Sequence, residues 1–390
     1  MFILSTLLRK PLARLVALLA LIGLAACDAA APVANTGGGS TARGAVVVAL
    51  LVPHGTANAQ EAQLARDLEN AARLAVSDLT GVAIDLRVYG TAGQPAQARQ
   101  AALNAAADGA AIIIGPLHAE SANAVAVAVA PQGINVLAFS NNPTIAGGNL
   151  FVLGQTFRDT ADRLAAFATS QGKSRIMAVY SENLSGRLGL EAITRAVQAQ
   201  GGTLAGSVAY DFSQDGVVSA VPVIRATAET NAVDAIFLTA NSAGALPLFA
   251  QMLPEAGLGP DRVQYIGLAR WDMPPQTLEL PGVQGGWFAL PDPDRAAAFG
   301  ARFRAAHGNS PHPIAGLAYD GIAAVGALSE AGRGLTRGDL TQTAGFQGVS
   351  GVFRLRPDGT NERGLAVATI ADKRVQILSP APRGFGGAGF

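Results

Sequence analysis

Short runs of Val, Ile, Leu and Ala recur along this chain, each followed by a stretch with helical spacing. "AVVVALLVP" (45–53), "VAIDLRVYG" (82–90), "AIIIGP" (111–116) and "INVLAFS" (134–140) form a first series. Between the first two, a helix near 61–79 places Leu64, Leu68, Ala71, Ala72, Ala75 and Leu79 on one face, with Glu61, Arg66, Asp67 and Arg73 elsewhere. Helices over 95–109 and 121–130 separate the others. Largely continuous apolar strands with helices between them require a parallel sheet covered on both faces and joined by right-handed crossovers.

The pattern restarts near residue 156. Helices over 160–171, 187–200, 216–229 and 244–252 alternate with "RIMAVYS", "TLAGSVAY", "DAIFLTA" and "VQYIGLA". Two such series exceed one small sheet, so the expected fold is α/β with two doubly wound parallel-sheet lobes joined by hinge crossings. Two more helices follow "GGWFALPDP", and "GVFRLRPDG" and "AVATIADKRVQIL" read as two closing strands around a Pro-Asp-Gly turn. The expected N-terminal lobe is 45–156 plus 286–345, and the C-terminal lobe is 157–285 plus 346–379. Residues 380–390 read as a flexible tail.

The N-terminus reads as an export signal. Arg9, Lys10 and Arg14 precede "LVALLALIGLAA", an apolar segment too short to span a bilayer comfortably. It runs into "LAAC", which resembles a bacterial lipobox, and Cys27 is the chain's one cysteine. The expectation is a lipoprotein signal peptide over 1–26, lipidation at Cys27, and a flexible linker through residue 44. An acylated N-terminus would make a lipid bilayer the first partner, on the periplasmic side of the inner or the outer membrane. Asp28 resembles the inner-membrane retention signal of enteric bacteria.

Charge and motif content narrow the function by exclusion. Lys plus Arg and Asp plus Glu each number 28, and losing the three N-terminal cations leaves 25 against 28. That balance gives nucleic acid no electrostatic hold. Four scattered histidines and one cysteine assemble no metal-ligand spacing and no intrachain disulfide. "GKS" (172–174) lacks the upstream glycine of a phosphate loop, and "GVSGV" around Ser350 is not a nucleophile elbow. Neither a cofactor nor an enzymatic role is expected.

Several landmarks occur in a characteristic order: "IIIGPLHAES" (112–121), "AFSNNP" (138–143), "GGWFALPDP" (285–293), "LAYDGIAA" (317–324) and "FQGVSGVFRLRPDGTNERGLAV" (346–367). Together they resemble the type I periplasmic binding proteins of the leucine/isoleucine/valine-binding family, over about residues 45–378. The last landmark, with "GPLHAES", "AFSNNP" and "GGWFALPDP", is similar to the lipoprotein subgroup of penicillin-binding protein activators. The resemblance implies a non-enzymatic clamshell with one of two partners. One is an envelope protein such as a peptidoglycan synthase; the other is an ABC permease that receives a small ligand.

Family resemblance also implies a ligand set. His118, Ala119, Glu120, Ser121, Ser140 and Asn141 would come from the first lobe, where the family's amino-acid receptors hold the ligand's α-carboxylate. Ser185, Asn241, Arg270 and Trp271 match the second-lobe positions. The family's aromatic residues and its ammonium-binding acid are not matched there, which argues against an α-amino acid. Blander roles compete for these residues: an exposed turn for His118, a helix-start acid for Glu120, loop packing for Trp271. Trp287 reads as core and Asp320 as a buried hydrogen-bonding group.

Overall fold

The computed structural model describes residues 44–385. Strand β1 (Val46–Val52) shows how the apolar runs are used. Val48, Leu50 and Val52 point into one hydrophobic core, and Ala49 and Leu51 into another on the opposite face of the sheet. The two-residue period of a strand sends successive side chains to opposite faces, so a sheet covered on both sides needs apolar residues throughout.

Four parallel partners complete the first sheet: β2 (Ile84–Gly90), β3 (Ile112–Ile114), β4 (Asn135–Ala138) and β5 (Leu150–Val152), in the order β2-β1-β3-β4-β5. The connecting helices are α1 (Ala59–Asp78), α2 (Pro95–Ala107) and α3 (Ala119–Val129). α1 buries Leu64, Leu68, Ala71, Ala72 and Ala75 of the expected stripe; Leu79 falls just past its end, and Asp67, expected off the stripe, is buried as well. Strand β5 is absent from the sequence reading, because three residues between turns carry no periodicity.

The second lobe begins with α4 (Phe157–Ser170). Its parallel strands are β6 (Arg175–Ser181), β7 (Thr203–Tyr210), β8 (Ala235–Leu238), β9 (Gln264–Gly267) and β10 (Trp287–Leu290). Helices α5 (Leu184–Ala199), α6 (Gln214–Thr230) and α7 (Leu246–Glu255) connect them. The chain then returns to the first lobe through α8 (Pro293–His307), α9 (Gly316–Glu330) and the short α10 (Arg337–Leu340). Phe299, Phe303, Leu317 and Ile322 of these helices sit in the core cluster of β1 and α1.

The closing segment holds five strands where the sequence reading has two. β11 (Phe346–Gly348), β12 (Gly351–Leu355) and β13 (Asn361–Arg363) form an antiparallel meander. β14 (Ala366–Ala371) and β15 (Arg374–Ser379) pair antiparallel and extend the second sheet to β15-β14-β10-β9-β8-β6-β7. The turn between them is Asp372-Lys373, both with positive φ, at 51° and 59°. No glycine marks it, so "AVATIADKRVQIL" reads as one strand.

Lobe membership differs from the sequence boundaries in two places. Trp287–Leu290 pairs with β9 and β14 in the second sheet, so the return crossing follows Leu290. Phe346, Phe353 and Leu355 pack in the first lobe's core, so the meander belongs with that core. The tail also packs as far as it is described: Pro382 sits against Gly364, and Arg354 lies 4.7 Å above the Phe385 ring.

Buried polar groups fasten the crossings to one another. Asn361 Nδ2 donates to the carbonyls of Val152 and Gly154, both at 2.8 Å. The Arg363 guanidinium donates to Leu153 O at 2.9 and 2.6 Å and pairs with Asp320 at 2.9 Å. Asp320, buried as expected, accepts the Val349 N–H at 2.8 Å.

At the start of α4, Thr156 and Asp159 form a capping box, with Asp159 Oδ2 accepting from Thr156 N and Oγ1 at 2.8 Å each. Burial pushes the Asp159 carboxyl up to about 6, from an ordinary value of 3.8, against the opposing Thr156 hydrogen bonds and the charges of Arg363 and Arg356. Between those two values the folded protein holds a proton that the unfolded chain has released. Its contribution is therefore full at low pH and is lost as pH rises towards 6. Asp159→Asn keeps an accepting oxygen but cannot ionise. It should remove on the order of 3 kcal/mol of stability decline between about pH 4 and 6, read from urea melts at successive pH values. A wild-type slope retained in the variant would refute the assignment.

Candidate ligand-binding cleft

Strand order locates the cleft before any side chain is considered. In the first sheet the chain leaves β1 towards β2 on one side and resumes at β3 on the other. The loops leaving the carboxyl ends of β1 and β3 therefore diverge, which opens a crevice where open α/β sheets take ligands. Three loops meet there: the β1–α1 loop, the β3–α3 loop and the segment after β4. In the second sheet the equivalent point lies between β6 and β8.

The β3–α3 connection is forced into shape by Gly115. Its φ is +94°, and a Cβ there would lie 2.1 Å from the carbonyl oxygen of Leu51. The tight turn lets α3 begin at Ala119, four residues beyond that glycine. His118 occupies the N-cap and makes no side-chain cap, so the first N–H groups of α3 are not taken up by their own chain's side chains. By contrast, Asn58 caps α1, accepting from Gln60 N and Glu61 N at 2.9 and 3.1 Å.

A recess of about 560 Å³ opens at this junction. Of the expected residues, His118, Ala119, Ser140 and Asn141 line it. Ser140 is 7% exposed, and its Oγ accepts the Asn142 N–H at 3.1 Å, which leaves its own hydroxyl proton free to donate. Glu120 lies on the exposed side of α3 and does not line the recess; Ser121 is buried inside the same helix, 1% exposed, with its Oγ unpartnered.

Glu61 and His312 enter the same recess and were not among the expected residues. The Glu61 carboxylate lies 3.3 Å from His118 Nε2 and accepts from Thr56 Oγ1 at 3.2 Å. The acid missing from the second-lobe position thus has a counterpart in the first lobe, on α1 rather than at Glu120. Burial pushes the His312 imidazole below its ordinary value, opposed by Asp67. Its Nδ1 accepts the Ile314 N–H at 3.3 Å, so a neutral ring sits at the edge of the site. Glu61 could have been found from the switch-point rule, which sets the start of α1 beside the start of α3. His312 comes from a loop almost two hundred residues further on and leaves no local signal.

The second-lobe expectations fare differently. Ser185 on the first turn of α5 and Asn241 after β8 are exposed near the carboxyl ends of their strands, and neither lines the recess. Arg270 is engaged by Asp272 through two bonds of 2.9 and 2.5 Å, so it is no free anion acceptor. Trp271 is corrected outright. It is fully buried, stacks on Phe288 at 6.5 Å, and is approached so closely by Gly267 and Gly286 that a Cβ on either would lie 2.3 or 2.2 Å from the indole. It is core, beyond a ligand's reach. Trp287 packs edge-on against Phe167 at 4.9 Å, as expected for a packing residue.

Residues 45–374 match the family described as periplasmic binding protein. The chain belongs to that family. No curated protein matches it. Among solved structures, it is similar to a Rhodospirillum rubrum protein assigned to branched-chain amino acid ABC transport, with TM-score 0.72 and 19% identity over 86% of this chain and 100% of the other. An ABC transporter substrate-binding protein from Desulfitobacterium hafniense in complex with Leu gives TM-score 0.62 at 19% identity, over 85% and 99% of the two chains. A solute-binding protein from R. palustris in complex with benzoate gives 0.57 at 18%, over 88% and 98%. The fold is thus the two-lobed type I form, in an extracytoplasmic family. These matches carry no sign of the activator subgroup.

Cys27 and the signal segment lie outside the described residues. Within the described residues, no helix is long and apolar enough to cross a membrane.

If Trp271 is core, Trp271→Ala should cost about 3–5 kcal/mol in urea denaturation and leave the ligand response of the folded fraction unchanged. Lost ligand response with undiminished stability would return Trp271 to the site.

Proposed function

We propose that this chain is the substrate-binding component of an ABC importer and that its ligand is a small molecule bearing a carboxylate. The observation that carries the reading is the α3 N-terminus: N–H groups with no side-chain cap open on a recess beside the Ser140 hydroxyl and Asn141. Such donors, with the positive end of the helix dipole, favour an anionic oxygen pair. The leucine and benzoate held by two similar proteins share a carboxylate and little else. Glu61 and His118 then offer a polar end for an ammonium or hydroxyl group. Ser185 and Asn241 are the second-lobe groups that would meet the ligand on closure, by analogy with hinge-closing receptors.

A thermal-shift series on residues 45–390 with amino acids and with aromatic and aliphatic acids tests this. A true ligand at a hundred times its dissociation constant adds about 2.7 kcal/mol, or roughly 2 °C or more. Ala119→Leu should abolish the response by filling the helix start, and Ser140→Ala should weaken it, both with little change in unliganded stability. A flat response to the whole series would overturn the carboxylate reading. A crosslinked synthase in membranes would then favour the activator role.

The membrane anchor is part of the proposal and rests on the "LAAC" segment. Cys27→Ala should move the protein from the membrane fraction to the soluble periplasmic fraction. Unchanged partition would remove the anchor from the account.

A further inference from the structure

Away from the cleft, α4, α5 and the returning strand near Gly364 enclose a second recess, of about 310 Å³. Arg158, Arg163, Arg195 and Arg363 line it, together with Asp159, Asp162 and Glu362. Arg363 is satisfied by Asp320 and Leu153 O. The remaining cations are short of partners. Arg158 and Arg195 share the single Asp162 carboxylate at 3.6 and 3.1 Å, and Arg158 reaches Asp358 only at 4.0 Å. Arg354 and Arg356 share Glu362 at 2.7 and 2.8 Å. Arg163 donates to Leu365 O, Pro380 O and the Ser379 hydroxyl and has no carboxylate partner among the described residues.

Five guanidinium groups thus face four carboxylates, Asp159, Asp162, Asp358 and Glu362, which leaves one cation in excess at neutral pH. Two of their N–H groups, Arg158 Nε and Arg356 Nη1, are closed off from solvent and make no hydrogen bond. Burial, followed by the like charges of Arg356 and Arg195, pushes the Arg158 guanidinium below its ordinary value. A buried charged donor without an acceptor is costly, and cations crowded together add to that cost. The cluster is built as though a further acceptor completes it.

We propose that this recess is a second, separate site, for an oxyanion of the phosphate class, free or as a phosphate monoester. The excess cation and the unpaired Arg158 Nε call for an anionic acceptor. The lining cations with capacity left, Arg158 and Arg195, come from α4 and α5, and a tetrahedral group with oxygens on several sides can take donors from both helices more readily than a planar carboxylate can. Bound there, the anion joins the first and second helices of the C-terminal lobe.

The test is calorimetric titration of inorganic phosphate into the mature protein at neutral pH, with sodium chloride balancing ionic strength and glycerol phosphate as a parallel arm. Saturable binding with a dissociation constant below roughly 1 mM is expected, weakened by about tenfold or more in Arg158→Gln and in Arg195→Gln. The Arg158 and Arg195 side chains are 37% and 39% exposed, so both variants should fold. Ala166→Leu narrows the recess without changing charge and should select against glycerol phosphate first. Tighter binding of glycerol phosphate than of phosphate marks a monoester site; the reverse marks a free-phosphate site. Heats no larger than those of chloride, or wild-type affinity in both arginine variants, would overturn the proposal.

Discussion

One buried guanidinium holds the two lobes' connections together. Arg363 reaches back from the third crossing to the carbonyl of Leu153 in the first, and to Asp320 in the helix that follows the second. Its side chain is 4% exposed and that of Asp320 is fully buried. Removing one partner of such a pair strands a charge in a low-dielectric interior, at a cost of about 3–5 kcal/mol. Burial works to raise the Asp320 carboxyl, and the charge and hydrogen bond of Arg363 oppose it. The pair also specifies geometry, because the planar fork of arginine fixes where the Leu153 carbonyl must lie. Any hinge motion in this protein takes place around a polar knot that it cannot afford to open.

From that knot the cleft follows with little further specification. Two sheets, one parallel and one parallel but for its β14–β15 edge, each with its own strand-order reversal, place diverging loops at their carboxyl ends. Rigid strands β1, β3 and β4 carry the ligand-side loops, so the donors of Ala119 and Ser140 are set by the backbone rather than by long side chains. Gly115 is part of that economy: its carbonyl neighbour leaves no room for a Cβ, and the helix start is brought in close.

Much of this was legible in the sequence, and the exceptions have physical causes. Strand and helix positions followed from unbroken apolar runs and from the α1 stripe, because a doubly covered sheet leaves strong periodic signals. β5 and β11, three residues each, were too short to leave one. The Asp372-Lys373 turn was hidden because two non-glycine residues take positive φ there. In the site, the α3 loop showed itself as a strand–turn–helix pattern, and Ser140 entered through the family resemblance. Trp271 was misplaced because position after a strand says nothing about which way an indole points. Here Gly267 and Gly286 admit it to the core. Glu61 was missed for the opposite reason: its helix looked purely structural until the strand order set it beside α3.

The asymmetry between α1 and α3 carries the last step. Both helices begin at the same crevice, and both present N–H groups to it. Asn58 consumes two of those on α1, whereas His118 on α3 turns instead towards Glu61. A helix start that supplies its own acceptor has little left to offer an anion; one that does not supply it has its donors and its dipole free. The Glu61 carboxylate beside His118 also sets a polarity across the recess, negative at the α1 side and donor-rich at the α3 side. A ligand with an anionic end and a donor end would therefore bind in one orientation. A simple monoanion would have to leave the Glu61 side to His118 and water, so under the proposed reading the Glu61–His118 contact would separate these two classes.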